Sequence, residues 1–179
     1  MIKFLDNKEE LIIKKIDGLF YIIPVKNLRN TNKVNFKSIP FFEEFNWIDI
    51  VSHEPGAMSP WKVEWQWNHW YMHPYQEDNL LTLSWNRIVE LYTKNHWKIE
   101  KFEISNERIS WNWEVVYEWQ AILWWDENVF HRNYSPNGSI SINLAYRTDG
   151  FDIDTEFNIY DLDTETGEYS VARVGKLDQ

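Results

Sequence analysis

The chain of 179 residues has no cysteine. That excludes a disulfide scaffold, a thiolate metal site and a cysteine nucleophile, while leaving the compartment open. Basic residues are short: 18 Lys and Arg face 28 Asp and Glu, and the net charge of −10 repels phosphate backbones and anionic lipid. Neither nucleic acid nor a membrane surface is therefore expected as a partner. No apolar run nears the roughly 18 residues of a membrane span. The stretch from Met1 to Glu10 has no signal-peptide core, so a cytoplasmic location is the simplest expectation. Glycine is scarce too, with 6 residues where about 13 would be usual for this length.

What the chain does have is apolar and aromatic. With 44% hydrophobic residues and 12 tryptophans it can bury a core without staples, and its length favours one domain over residues 1–179. Short runs of Ile, Val, Tyr, Phe and Trp alternate with turn residues at close spacing, the signature of an all-β protein. Leu11 to Ile16 and Leu19 to Val25 flank Asp17-Gly18 and predict an N-terminal hairpin. Lys26 to Lys37 is polar and Asn-rich, and Phe41 to Phe45 reads as a short helix or turn. Strands are then expected at Trp47 to Val51, Val63 to His73, Leu80 to Ser84, Arg87 to Tyr92, Trp97 to Ile104, Glu114 to Tyr117 and Ala121 to Trp125. Val129 to Tyr134, Ser139 to Arg147, Phe157 to Asp161 and Tyr169 to Val174 complete the set. So many strands in one domain close most economically into a barrel or jelly roll.

Five histidines are available for chemistry: His53, His69, His73, His96 and His131. In the run Val63 to His73, His69, Tyr71 and His73 fall at period two on one face. Pro74 has no amide proton and breaks the ladder, after which Asp78, Leu80, Thr82 and Ser84 share a face. If that face is interior, His73 and Asp78 meet in one cavity, a nitrogen and oxygen set that suits Fe, Mn, Ni or Zn. Gln76 and Asn143 are pocket candidates, Asn143 more readily as a buried structural hydrogen-bonding group. Glu77 is expected at the surface or behind the cavity wall. Arg132 and Arg147 could clamp an anion, although such arginines more often pair with nearby acids. His53 and His96 sit in loop-like surroundings with no assigned chemistry. Asp149 to Glu156 and Asp161 to Gly167 read as solvated loops.

These residues carry a resemblance to the cupins. His73, four residues, Asp78, six residues and Trp85 match the spacing of the first cupin motif, followed by the strand-like Arg87-Ile88-Val89-Glu90-Leu91. Trp125-Asp126-Glu127-Asn128-Val129-Phe130-His131-Arg132 resembles the second. The departures are specific. Tyr71 stands where the family has its first histidine and Trp85 where it has its glycine. Asp126, Asn128 and Ser135 replace the proline, the glycine and the terminal asparagine of the second motif. The resemblance implies a double-stranded β-helix with an N-terminal hairpin extension and a motif core over residues 56–147. It also implies a divalent metal held by His73, Asp78 and His131, with His69, Tyr71 or water as a fourth ligand. The expected function is small-molecule binding, with metal-dependent oxygenase or isomerase chemistry. The alternatives are a metal-free sugar-nucleotide epimerase or isomerase, in which a histidine and an acid exchange protons with Tyr71 opposite, and a non-catalytic binding cupin. Edge strands could pair two copies into a homodimer.

Several tryptophans occupy places that the backbone should reserve for glycine. Asn112-Trp113 lies where Asn-Gly would make a hairpin turn, Trp85 replaces the motif glycine, and Trp97, Trp119 and Trp124-Trp125 have a similar setting. One explanation covers both the tryptophan excess and the glycine deficit: UGA codons that mean glycine in the source organism, translated as tryptophan. The alternative is a set of true aromatic side chains lining a cavity.

Overall fold

The computed structural model describes residues 8–178, apart from 41, 43 and 44. Most of the segment expected to form a helix or turn at Phe41 to Phe45 thus lies outside the described residues. Among the described residues, sixteen strands follow a one-turn helix α1 (Lys8–Leu11). They are β1 (Lys14–Ile16), β2 (Phe20–Pro24), β3 (Lys26–Thr31), β4 (Val34–Ser38), β5 (Trp47–His53), β6 (Ala57–Ser59), β7 (Trp70–Tyr71) and β8 (Gln76–Tyr92). After them come β9 (Glu100–Ser105), β10 (Ile109–Trp111), β11 (Glu114–Tyr117), β12 (Ala121–Trp125), β13 (Phe130–Ser135) and β14 (Ser139–Arg147). A second short helix, α2 (Ile153–Glu156), precedes β15 (Ile159–Leu162) and β16 (Tyr169–Arg173). No helix among the described residues is long and apolar enough to cross a membrane.

One strand joins the two halves of the barrel. β8 has 17 residues, too many to run straight across a domain of this size at about 3.3 Å each. Its first part pairs with β12 and β14, and its second with β9 and β13. The first half belongs to a sheet ordered β1-β2-β12-β8-β14-β5; the second borders β9-β10-β11 on one side and β13-β7-β15-β16 on the other. Where β8 changes sheets, the register against β14 shifts by a bulge between Ile140 and Ser141, and Trp85 takes φ 60°. The bulge moves the buried set from Gln76, Asp78, Leu80 and Thr82 to Arg87, Val89 and Leu91. Leu80 to Ser84 and Arg87 to Tyr92, expected as two strands, are therefore one bent strand.

The core forms in two layers because β12 is buried on both faces. Leu123 and Trp125 pack between the sheets with Phe20, Leu80, Val89 and Phe102, while Ile122 and Trp124 pack on the outer side with Ile23, Leu81, Phe42 and Phe45. Each such large side chain contributes roughly 1.5–3 kcal/mol by leaving water. Trp124 and Trp125 are thus core aromatics and not displaced turn glycines.

The N-terminal hairpin forms around Gly18 at φ 71°, with Leu19 N donating to Ile16 O. One stretch read only as polar is paired, and one expected strand is absent. Lys26 to Lys37, which has no apolar alternation, forms the separate hairpin β3–β4 around Lys33 at φ 64°. Val63 to His73 is not a strand. Val63 bridges Gln66 in a tight turn with Glu64 at φ 53°, Trp65 is exposed, and only Trp70–Tyr71 joins a sheet. Local alternation cannot hold a strand together where no neighbour supplies ladder hydrogen bonds.

Seven residues other than glycine have positive φ among the described residues, and three are tryptophans: Trp85 (60°), Trp97 (57°) and Trp113 (75°). All three are exposed. Asn112 and Trp113, both at positive φ, form the two-residue turn between β10 and β11, where Trp111 pairs with Glu114. That is the type I′ geometry that favours Asn-Gly, and a bulky residue in this region costs roughly 1–2 kcal/mol. Asn128, where the second cupin motif has its glycine, has φ 61°. At Trp85 and Asn128 the backbone thus takes the left-handed conformation that favours glycine, although neither residue is one.

Candidate functional site

Between the sheets lies a cavity of about 430 Å³ whose wall includes His73, Asp78 and His131. β8 supplies Asp78, β13 supplies His131, and the bend between β7 and β8 supplies His73. All three side chains are buried, and one ligand atom from each lies within 4.8 Å of the other two. A larger groove of about 720 Å³ lies beneath the β3–β4 hairpin, but its wall of asparagines with Lys37 and Trp119 gathers no such cluster.

The proton positions follow from the hydrogen bonds. His73 Nδ1 lies 2.7 Å from the Glu156 carbonyl and His131 Nδ1 3.1 Å from the Val129 carbonyl. A carbonyl only accepts, so both Nδ1 atoms donate, and a neutral ring then offers its Nε2 lone pair. Those Nε2 atoms lie 3.5 and 3.6 Å from Asp78 Oδ2. Complete burial, with His73 beside it, lowers the pKa of His131 to about 4 and keeps that ring neutral at ordinary pH. His131 Nε2 and Asp78 Oδ2 are thus both acceptors, and His73 Nε2 faces the same carboxylate oxygen.

Asp78 is aimed by its other oxygen. Oδ1 accepts from Gln76 Nε2 at 2.7 Å and from Asn143 Nδ2 at 2.6 Å. Asn143 Oδ1 in turn accepts from Asn79 N, while Gln76 Oε1 accepts from Arg147 Nε at 2.7 Å. Arg147 is itself paired with Asp49 at 3.1 Å. Gln76 and Asn143 thus hold the carboxylate in place, and Arg147 takes the acid-paired role foreseen for it. Arg132 pairs with Glu90 at 2.6 Å.

Tyr71 lines the cavity, its ring centroid 6.0 Å from those of both His73 and His131. His69 does not join them: its Nδ1 lies 2.8 Å from Asp161 Oδ1, and it is no part of the cavity wall. The period-two argument placed it beside Tyr71, but the strand begins only at Trp70. Glu77 accepts from the Trp124 indole at 2.7 Å. His96 binds the buried Glu100 at 2.7 Å, away from the cavity.

Four contributors were missed by the sequence reading. Glu156, in a stretch expected to be solvated, is buried at the end of α2. Its carboxylate accepts from Tyr75 N at 2.6 Å, and burial raises its pKa. His53 is the last residue of β5 and lines the cavity. The signal for it was the alternation Asp49, Val51, His53. Arg87 and Ser139 also face inward, Arg87 in the same parity as Val89 and Leu91.

No protein-family model and no curated protein sequence matches this chain. Solved structures do. The dTDP sugar isomerase from Desulfovibrio desulfuricans G20 superposes with a TM-score of 0.53 and 11% identity, over 75% of this chain and 82% of that one. QdtA, a sugar 3,4-ketoisomerase from Thermoanaerobacterium thermosaccharolyticum in complex with TDP, gives 0.51 and 12%, over 77% and 85%. Against the capsular polysaccharide assembling protein CapF from Staphylococcus aureus the score is 0.42 at 14% identity, and the match spans 72% of this chain but only 30% of that one. With its strands antiparallel and one long strand shared between two sheets, the chain has the cupin fold, a double-stranded β-helix with an N-terminal hairpin.

Proposed function

We propose that the cavity isomerises or epimerises a small keto sugar by moving a proton between carbon and oxygen. The observation that carries this reading is the convergence of the His73 and His131 Nε2 atoms on Asp78 Oδ2, at 3.5 and 3.6 Å, in one cavity wall. A cavity of this size falls within the range of small-ligand pockets and accommodates a sugar ring. The sugar isomerase and the ketoisomerase named above share the fold and lend support.

In this reading His73 Nε2 takes the proton from the carbon beside the carbonyl, and Asp78 Oδ2 stabilises the imidazolium that forms. The Tyr71 hydroxyl gives its proton to the substrate oxygen, leaving an enediol. Returning a proton to the neighbouring carbon, while the enediol's other hydroxyl gives its proton back to Tyr71, moves the carbonyl; returning it to the opposite face of the same carbon, with the first hydroxyl giving its proton back to Tyr71, inverts that centre. Each proton removed is replaced, so no oxidant or reductant is needed. The test is incubation with a TDP-linked keto sugar in D₂O, followed by NMR. Deuterium should enter beside the carbonyl and do so at least about 1,000-fold more slowly with His73→Ala. A wild-type protein that catalyses no exchange on such sugars overturns the reading.

A second reading has its own observation. The two Nδ1–H groups are anchored on backbone carbonyls, which is how metal-binding imidazoles are commonly held, and Asp78 Oδ2 completes a set of two nitrogens and one oxygen. His73, His131 and Asp78 would hold Fe, Mn, Ni or Zn and leave positions open. A bound ion would supply Lewis-acid polarisation of a carbonyl oxygen. Elemental analysis separates the two readings. Stoichiometric metal that is lost with His73→Ala and with His131→Ala supports this one; no metal after loading rejects it.

A further inference from the structure

The far part of the same cavity has the opposite chemistry. Arg87 is 2% exposed yet lines the cavity. Among the described residues its hydrogen bonds go only to Ser139 Oγ, from Nε and Nη2, both at 3.1 Å, and no carboxylate pairs with it. Burial alone lowers its pKa to about 10. A buried charge without a counter-ion is strongly destabilising, whereas the cavity's other arginine, the half-buried Arg147, has Asp49 beside it.

The network around Arg87 has one consistent direction. Both Arg87 contacts donate to Ser139 Oγ and occupy its lone pairs, so the Ser139 hydroxyl must donate onward to Ser135 Oγ, 2.9 Å away. Ser135 then donates to His53 Nδ1, also at 2.9 Å. His53 therefore carries its proton on Nε2, and burial with the nearby Arg87 charge lowers its pKa to about 4 and keeps the ring neutral. His53 also lines the cavity. What this array has left to offer is N–H donors: the remaining Nη1 of Arg87 and Nε2 of His53. Ser139 and Asn143 lie on the same inward side of β14, four residues apart, so about 13 Å separates this array from the brace of Asp78.

We propose that Arg87, with His53 and the serines that orient them, forms an oxyanion subsite that binds a phosphoryl or carboxylate group of the ligand. The fork of a guanidinium matches two oxygens of either group. The bound anion would be the counter-charge that the protein itself omits. The inference does not depend on whether Asp78 and its histidines move protons or hold a metal.

The test uses the whole chain with inorganic phosphate or acetate, at constant ionic strength set by sodium chloride. Calorimetric titration and thermal unfolding should show saturable binding of phosphate, acetate or both, which chloride does not reproduce. Stronger phosphate binding assigns a phosphoryl group and stronger acetate binding a carboxylate. In protein labelled with ¹⁵N at histidine, the His53 Nε2 resonance should move along the same binding curve while the His131 resonances stay in place. Arg87→Gln should weaken binding at least about tenfold, and Arg87→Lys, which keeps the charge and loses the fork, should fall between. The histidine measurement needs no variant, so it decides even if both substitutions impair folding. No saturable binding of either anion, or binding that leaves His53 unmoved, overturns the proposal.

Discussion

The cavity has two poles built from similar parts and opposite in character. Around Asp78, two histidines give their Nδ1 protons to backbone carbonyls and turn lone pairs inward. Around Arg87, a third histidine accepts a hydroxyl proton on Nδ1 and keeps its own on Nε2. All of these side chains line one cavity, so residue type does not set the difference. The partner of each Nδ1 does: a carbonyl makes one ring an acceptor, and a serine at the end of an arginine chain makes another a donor. A cavity polarised in this way fits an elongated ligand with an anionic group at one end and an acidic hydrogen or carbonyl at the other.

Four measurements break or sharpen this contrast. The largest expected effect is that of Asp78→Ala. It should slow proton exchange on a keto sugar by about 1,000-fold while leaving anion binding at Arg87 within about twofold, and equal loss of both would mean the poles are not separate. Acidification acts on both poles together. The His131 pKa in the fold, about 4, is below the ordinary 6.5, so between these values the unfolded chain binds more protons and stability falls as pH falls. The contribution of His131, on the order of 3 kcal/mol, is complete above pH 6.5 and is lost by about pH 4. His53 adds to the loss in the same window with a smaller share, because it is only partly buried. Urea unfolding at pH 7 and pH 4.5 measures the sum, and a flat profile would contradict the neutral rings. Asn143→Ala removes a donor to Asp78 and the acceptor of Asn79 N, and should cost about 2 kcal/mol of unfolding free energy. Trp85→Gly and Trp113→Gly, remote from both poles in kind, should each stabilise the chain by up to about 1 kcal/mol, since glycine carries no steric penalty at positive φ. The coding explanation adds its own check: UGA codons at Trp85, Trp97 and Trp113 support it, and UGG overturns it.

Much of the acceptor pole was legible. The spacing His73 to Asp78 and the isolated His131 matched two motifs, and the strand parity of Asp78, Leu80 and Thr82 turned the carboxylate inward. The donor pole was not legible, because Arg87 and Ser139 are 52 positions apart and meet only through the pairing of β14 with β8. Arg87 also follows the bulge that reverses parity in β8, so reading inward positions forward from Asp78 would have placed it outside. His69 failed for the converse reason: its parity was right for a strand that the chain does not form.

The sequence by itself determined the all-β class, the N-terminal hairpin around Asp17-Gly18 and the hairpin turn at Asn112-Trp113. Those depend on alternation and on local φ preferences, which a few neighbouring residues settle. Only the tertiary structure decided which rings face which, and on which nitrogen each carries its proton. That outcome belongs to partners far apart in the chain, in a dry interior where every donor must find an acceptor.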